Sequence, residues 1–259
     1  IAFTSCMSTH AFGEAQPVWE QIAKQSPHAL VLLGDSVYID CPPVSDENGN
    51  AHPSDADYAD RVFAEHLLNL YRKQLAVPEF AALLAKIPAF AIWDDHDFLW
   101  NDADSSLRNG PSYIGRMILS ANLFRYWCGA LECRGGMPTH IDEIPKHLWP
   151  DPIAQVNQSA YDTTMPGYRT RGFLNDKVIL HLTDGRSWRH RMHQRLLGES
   201  QRQAIEKVMA DAPQDALHIF ASGSTVQKYK WLQKESWQTY ADELRWLKEL
   251  ASRHNILVI

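Results

Sequence analysis

The sequence predicts a layered α/β fold, and three observations carry that expectation. Six short apolar runs recur along the 259 residues, at 1–4, 29–33, 89–93, 178–182, 216–221 and 256–259, and each has the length of a buried strand rather than a helix. Between them lie segments whose apolar residues fall three and four apart, the spacing of a helix with one buried face. Two of the runs also empty directly into polar clusters, the place where open α/β sheets collect their ligands.

Taken in order, the first run leads into Cys6 and Met7, and the second, Leu32-Leu33, into Gly34-Asp35-Ser36-Val37-Tyr38. Val62, His66, Leu67, Leu70, Tyr71 and Leu75 then mark a helix. The third run, Ala91-Ile92-Trp93, opens into Asp94-Asp95-His96-Asp97. Beyond the run at 178–182 come Asp184, Arg186 and Arg189. Ile205 and Val208 belong to a further helix, as do Leu244, Leu247 and Leu250 before the final run. Strands alternating with helices favour a layered sheet. The stretches 41–53 and 138–165, rich in Pro, Asn, Asp, Ser or Gly, are expected to be surface excursions. No linker divides the chain, so residues 1–259 are expected to form a single domain.

Composition narrows the function. Hydrophobic residues make up 45% of the chain, enough for a packed core and against disorder. A net charge of −6 with dispersed Lys and Arg gives no electrostatic footprint for a nucleic-acid partner. No apolar run approaches the roughly 20 residues of a membrane helix. Cys6, Cys41, Cys128 and Cys133 have neither zinc-ribbon spacing nor the density of a disulfide framework. A dinucleotide-binding oxidoreductase needs a Gly-rich first turn, which Thr4-Ser5-Cys6-Met7-Ser8 lacks.

The clusters suggest metal chemistry. A carboxylate at a strand end can bridge two cations, Gly34 lets the backbone turn closely, and a phenolate suits a hard, highly charged metal. The plainer alternative is a turn with Asp35 as a cap and Tyr38 as packing. Three carboxylates around His96 are unfavourable without a cation, although a solvated acidic loop would also hold them. Cys6 is a ligand or a buried inert thiol. Arg186 and Arg189 are suited to bidentate phosphate binding, or to a structural pair with Asp184. His190 and His193 read as polar surface, the 237–246 stretch as amphipathic helix packing, and Ser222-Gly223-Ser224 lacks the setting of a nucleophile elbow.

In order and spacing, Phe3-Thr4-Ser5-Cys6, Gly34-Asp35-Ser36-Val37-Tyr38, Trp93-Asp94-Asp95-His96-Asp97 and Leu182-Thr183-Asp184-Gly185-Arg186-Ser187-Trp188-Arg189 resemble the successive blocks of the PhoD-like phosphatases, the alkaline phosphatase D group of metallophosphoesterases. The resemblance implies a four-layer α/β/β/α sandwich and hydrolysis of phosphomonoesters or phosphodiesters by a metal-activated hydroxide. It implies two or more metal ions, iron with calcium foremost and zinc or manganese as alternatives. Carried over by position, Cys6 and Tyr38 would bind the iron-like metal, Asp35 would bridge, and Asp95 would serve the second metal. His96 would face the phosphate, with Asp94 and Asp97 as supports, while Arg186 and Arg189 would hold substrate. The family pattern continues past residues 255–259 into a Gly-Asp-x-His block, so the catalytic domain is expected to be truncated at its C-terminal end. A catalytically silent binding module is the alternative function. A leader removed upstream would imply a secreted or periplasmic protein, its absence a cytoplasmic one; the subunit number is left open.

Overall fold

The computed structural model describes residues 1–259 apart from 14, 110, 134, 145–157 and 228–234. The chain divides into two compact units, one of residues 1–103 and 107–166, the other of 104–106 and 167–259.

In the first unit, β1 (Ala2–Thr4), β2 (Leu30–Leu33) and β3 (Ala89–Ile92) form a parallel sheet in that order. Thr4 lies beside Leu32, and Leu33 beside Ile92, so all three strands deliver their carboxyl ends to one edge. Leu30, Val31, Leu32 and all four residues of β3 are buried, which explains why these strands read as continuous apolar runs rather than alternating ones. The helices are α1 (Thr9–Phe12), α2 (Val18–Lys24), α3 (Asp60–Ala76), α4 (Pro78–Leu84), α5 (Asp95–Phe98), α6 (Pro111–Cys133) and α7 (Gln158–Thr164). Helix α6 packs on α3 and β3, with Trp127 stacked 5.0 Å from Tyr71 and Phe124 5.3 Å from Trp93.

The segment that leads from the end of the 41–53 excursion into α3 is pinned from α6. Arg116, buried to 1% exposure, donates to the carbonyls of Pro53, Asp55, Ala56 and Tyr58 and to Asp60. One guanidinium thus satisfies carbonyls that would otherwise lie buried and unpaired. The stretch 138–165 differs from its expectation as a surface excursion: Ile141, Ile144, Tyr161 and Met165 are buried, because apolar residues among the prolines anchor it. Its portion at 145–157 lies outside the described residues.

The second unit holds β4 (Arg169–Phe173), β5 (Val178–Leu182), β6 (Leu217–Ala221) and β7 (Asn255–Val258), with α8 (Glu199–Asp211) and α9 (Ala241–Ala251). Strands β5, β6 and β7 are parallel, and β4 adds to β5 antiparallel. Phe220, Ile205, Met209, Trp237, Tyr240, Trp246 and Leu250 form its core. A polar column runs through this sheet: Tyr168 Oη lies 2.6 Å from His181 Nδ1, and His181 Nε2 lies 2.9 Å from His218 Nδ1. The expectation that His190 is surface is corrected, since it is 8% exposed. A bridge between His190 and Arg195 folds the chain back over it, while His193 is exposed.

Candidate metal centre

The parallel register turns three separate sequence blocks into neighbours. Cys6 follows β1, Asp35 follows β2, and Asp94 and Asp95 follow β3. Strand pairing continues beyond the regular sheet, with the Cys6 N–H donating to Gly34 O at 3.2 Å and the Met7 N–H to Asp35 O at 2.8 Å. Cys6 (φ 61°) and Asp35 (φ 52°) both adopt left-handed backbone, a cost of order 1 kcal/mol each that concentrates at functional sites. Gly34 has φ 97°, and a Cβ there would stand 2.5 Å from Asp94 Cβ. Only glycine lets the end of β2 lie this close to the end of β3.

Asp35, Asp95 and His96 each place a ligating atom within 4.8 Å of the other two. Tyr38 Oη donates to Asp35 Oδ2 at 3.2 Å, and Cys6 Sγ lies 3.6 Å from the same oxygen. Four of these side chains are the ones assigned from the sequence to metal, His96 is one of the three assigned to phosphate, and the first unit brings these five together; Arg186 and Arg189, also assigned to phosphate, belong to the second unit.

Supporting groups hold them. Asp97 is 1% exposed and accepts from the Ser36 and Asp94 N–H groups, each at 3.0 Å, and from Tyr71 Oη at 3.3 Å. It therefore braces the turns after β2 and β3 together. Burial, followed by the charge of Asp35, pushes its carboxyl well above the ordinary range. Asp94 opens α5 as its N-cap, and Asp95 Oδ2 accepts the Asp102 N–H at 2.6 Å.

Asp40 escaped the sequence reading. Its Oδ1 lies 2.6 Å from His96 Nδ1, and its Oδ2 accepts the Asn101 N–H at 3.0 Å. The one signal was a lone carboxylate after the apolar Val37-Tyr38-Ile39 stretch. Burial opposes charge on His96, but the Asp40 hydrogen bond and the charges of Asp35, Asp40 and Asp95 prevail, pushing its pKa up to about 9. Burial likewise opposes charge on Asp40, yet His96 and the Asn101 N–H hold its carboxyl below the ordinary value.

The electrostatics test whether a cation fits. Two carboxylate oxygens within 4.8 Å of each other repel by about 3.5 kcal/mol or more at an effective dielectric near 20. One imidazolium faces Asp35, Asp40 and Asp95, leaving a surplus of negative charge. Burial, then the charge of Asp35, raises the Tyr38 phenol, and burial with a smaller push from Asp35 raises the Cys6 thiol. A bound cation reverses each of these penalties. Carboxylate and phenol oxygens suit a hard ion, and a thiolate suits a transition metal. The residues present fit the metal ions implied by the resemblance.

The arginine block forms its own cluster in the second unit. Arg186 and Arg189 are buried and both pair with Glu235, Arg186 at 2.7 Å, and Arg191 joins them at 2.6 Å. Arg189 also reaches Gly185 O at 2.8 Å and the Ser224 hydroxyl. Burial opposes charge on Glu235, but the arginines hold it down at about 2. Asp184 accepts the N–H groups of Gly167, Arg186 and Ser187 and the Ser187 hydroxyl. It shapes the loop. Glu235, distant in sequence, left no local signal.

Residues 1–112 match the family model of the PhoD-like phosphatases. No match was found among curated proteins. Among solved structures the chain is similar to one described as "Structure of PhoD", at 17% identity and a TM-score of 0.65, over 99% of this chain and 49% of that one. The chain thus spans about half the length of that protein, and the likeness is one of fold. The PhoD-like resemblance carried by the sequence blocks holds.

Proposed function

We propose that this PhoD-like chain is a metal-dependent phosphoesterase hydrolysing phosphomonoesters or phosphodiesters. The observation that carries the reading is the convergence of Asp35, Asp95 and His96 at the carboxyl edge of a parallel sheet, within the region that matches the phosphatase family. Asp35 would be shared by two cations, with Cys6 and Tyr38 as further ligands of one and Asp95 of the other; iron with calcium would be the favoured pair, with zinc or manganese as alternatives. The reading carries with it the four-layer α/β/β/α sandwich and a single catalytic domain over 1–259.

Bound cations would acidify a water and neutralise the phosphoryl oxygens. The chain's own groups do the rest. With Nδ1 committed to Asp40, His96 presents Nε2 to the phosphoryl group or to the leaving oxygen. As an imidazolium it can donate that proton to a departing alkoxide. Asp94 and Asp97 hold the turn that aims it. Arg186 and Arg189 grip a carboxylate, and the same guanidinium fork accepts a phosphate.

The test is the metal content of protein purified without added metal or chelator, together with hydrolysis of an aryl phosphomonoester and an aryl phosphodiester. Metal with turnover is expected, and Asp35→Ala should lose both. An Asp35→Ala protein that kept its metal and its turnover would overturn the reading.

A further inference from the structure

Beside the metal centre, in the first unit, lies a cavity of about 520 Å³ lined by Thr4, Ser5, Cys6 and Met7 on one side and Ala15, Gln16, Pro17, Val18 and Trp19 on the other. We propose that this cavity receives an apolar organic group, an aryl or short branched alkyl ester, of the substrate whose phosphate lies at the metal centre. The inference rests on the phosphoesterase reading and names its substrate class.

Three features point to such an occupant. The cavity shares Cys6 with the ligand cluster, where Cys6 Sγ lies 3.6 Å from Asp35 Oδ2. A group bonded to a phosphate there would project into it. Its volume lies in the range of small-molecule sites, much more than a phosphate alone requires.

The floor is also apolar and fixed. Trp19, 1% exposed, donates its indole N–H to Gln16 Oε1 at 2.6 Å and lies 4.7 Å from the Phe80 ring. Gln16 in turn exchanges amide hydrogen bonds with Gln74, both at 3.1 Å. These bonds engage the indole N–H and both amides of the floor, and the lining is mostly apolar. A rigid aromatic floor is pre-organised for a flat ring.

At the rim, Ala15 and Val18 are exposed, so larger side chains can fill the cavity without disturbing the core. Among the described residues, Thr4 and Ser5 supply the only hydroxyls in its lining, which disfavours a sugar or other polyol.

The experiment compares calorimetric binding of phenylphosphonate and methylphosphonate to the metal-loaded protein and to its Ala15→Phe and Val18→Trp variants. The phenyl compound should bind on the order of tenfold tighter to the wild type. Both variants should bring the ratio close to one while leaving methylphosphonate binding and metal content unchanged. An unchanged phenyl preference in the two variants, or none in the wild type, overturns the inference alone. Failure of both phosphonates to bind overturns the phosphoesterase reading and this inference with it.

Discussion

His96 Nδ1 and Asp40 Oδ1 stand 2.6 Å apart, and that contact engages Nδ1, so Nε2 is the ring nitrogen to which the proposed function gives the substrate. It also sets the charge. Asp40→Asn removes the hydrogen bond and one nearby negative charge, so the His96 pKa should fall from about 9. Proton NMR titration of the metal-free protein reads it. A raised histidine pKa adds stability that is full below the ordinary value of about 6.5 and is lost as pH rises through about 9; Asp40→Asn should flatten that alkaline loss. In the loaded enzyme a loss of about 10–100-fold in turnover is expected, and an unchanged rate with a lowered pKa would remove His96 charge from the mechanism.

Gly34→Ala should be costly. The new Cβ would meet Asp94 Cβ at 2.5 Å with the backbone at φ 97°, a combined clash and strain of about 2–4 kcal/mol. Urea denaturation gives the stability. Metal stoichiometry should fall as well, because the clash separates the turns that carry Asp35 and Asp95.

Glu235→Gln tests the arginine cluster. It leaves three guanidiniums around an amide, and breaking such a pair costs about 3–5 kcal/mol. The depressed Glu235 pKa adds stability present above the ordinary glutamate value of about 4.3 and lost as pH falls through about 2. Melting temperatures recorded across that window should decline for the wild type and change less for the variant.

The histidine column makes a separate acid-side prediction. Burial, reinforced by the charge of His218, depresses His181 to about 3, so the folded protein favours its neutral ring. Here the unfolded chain takes up protons first. Stability is full above about 6.5 and should fall as pH drops towards 3, by at most about 1.4 kcal/mol per pH unit. His181→Gln should reduce that slope in melting experiments, and an identical slope would place the acid sensitivity elsewhere.

The six apolar runs became six strands, and in β2, β3, β5 and β6 burial on both sheet faces leaves little choice of composition. Strand β4 had no such mark: Arg169-Thr170-Arg171-Gly172-Phe173 is polar and pairs along one edge of β5. Helix α6 was equally hard to see, since it is apolar around most of its surface and carries Arg116 for the carbonyls of a remote loop. In the site, Cys6, Asp35, Tyr38, Asp95 and His96 were legible because each lies just past a strand, where a polar residue contrasts with the run before it. Asp40 and Glu235 act on groups 56 and 46 residues away, and no local pattern encodes such a distance.

The parallel pairing of β1, β2 and β3 has a last consequence. Side chains alternate along a strand, so sliding β2 by one residue would turn Asp35 to the opposite face of the sheet. Under the proposed function, cation affinity at this edge would be a gauge of alignment: a variant that kept its helical and sheet content but let β2 slip would be found out first by the loss of the proposed ion.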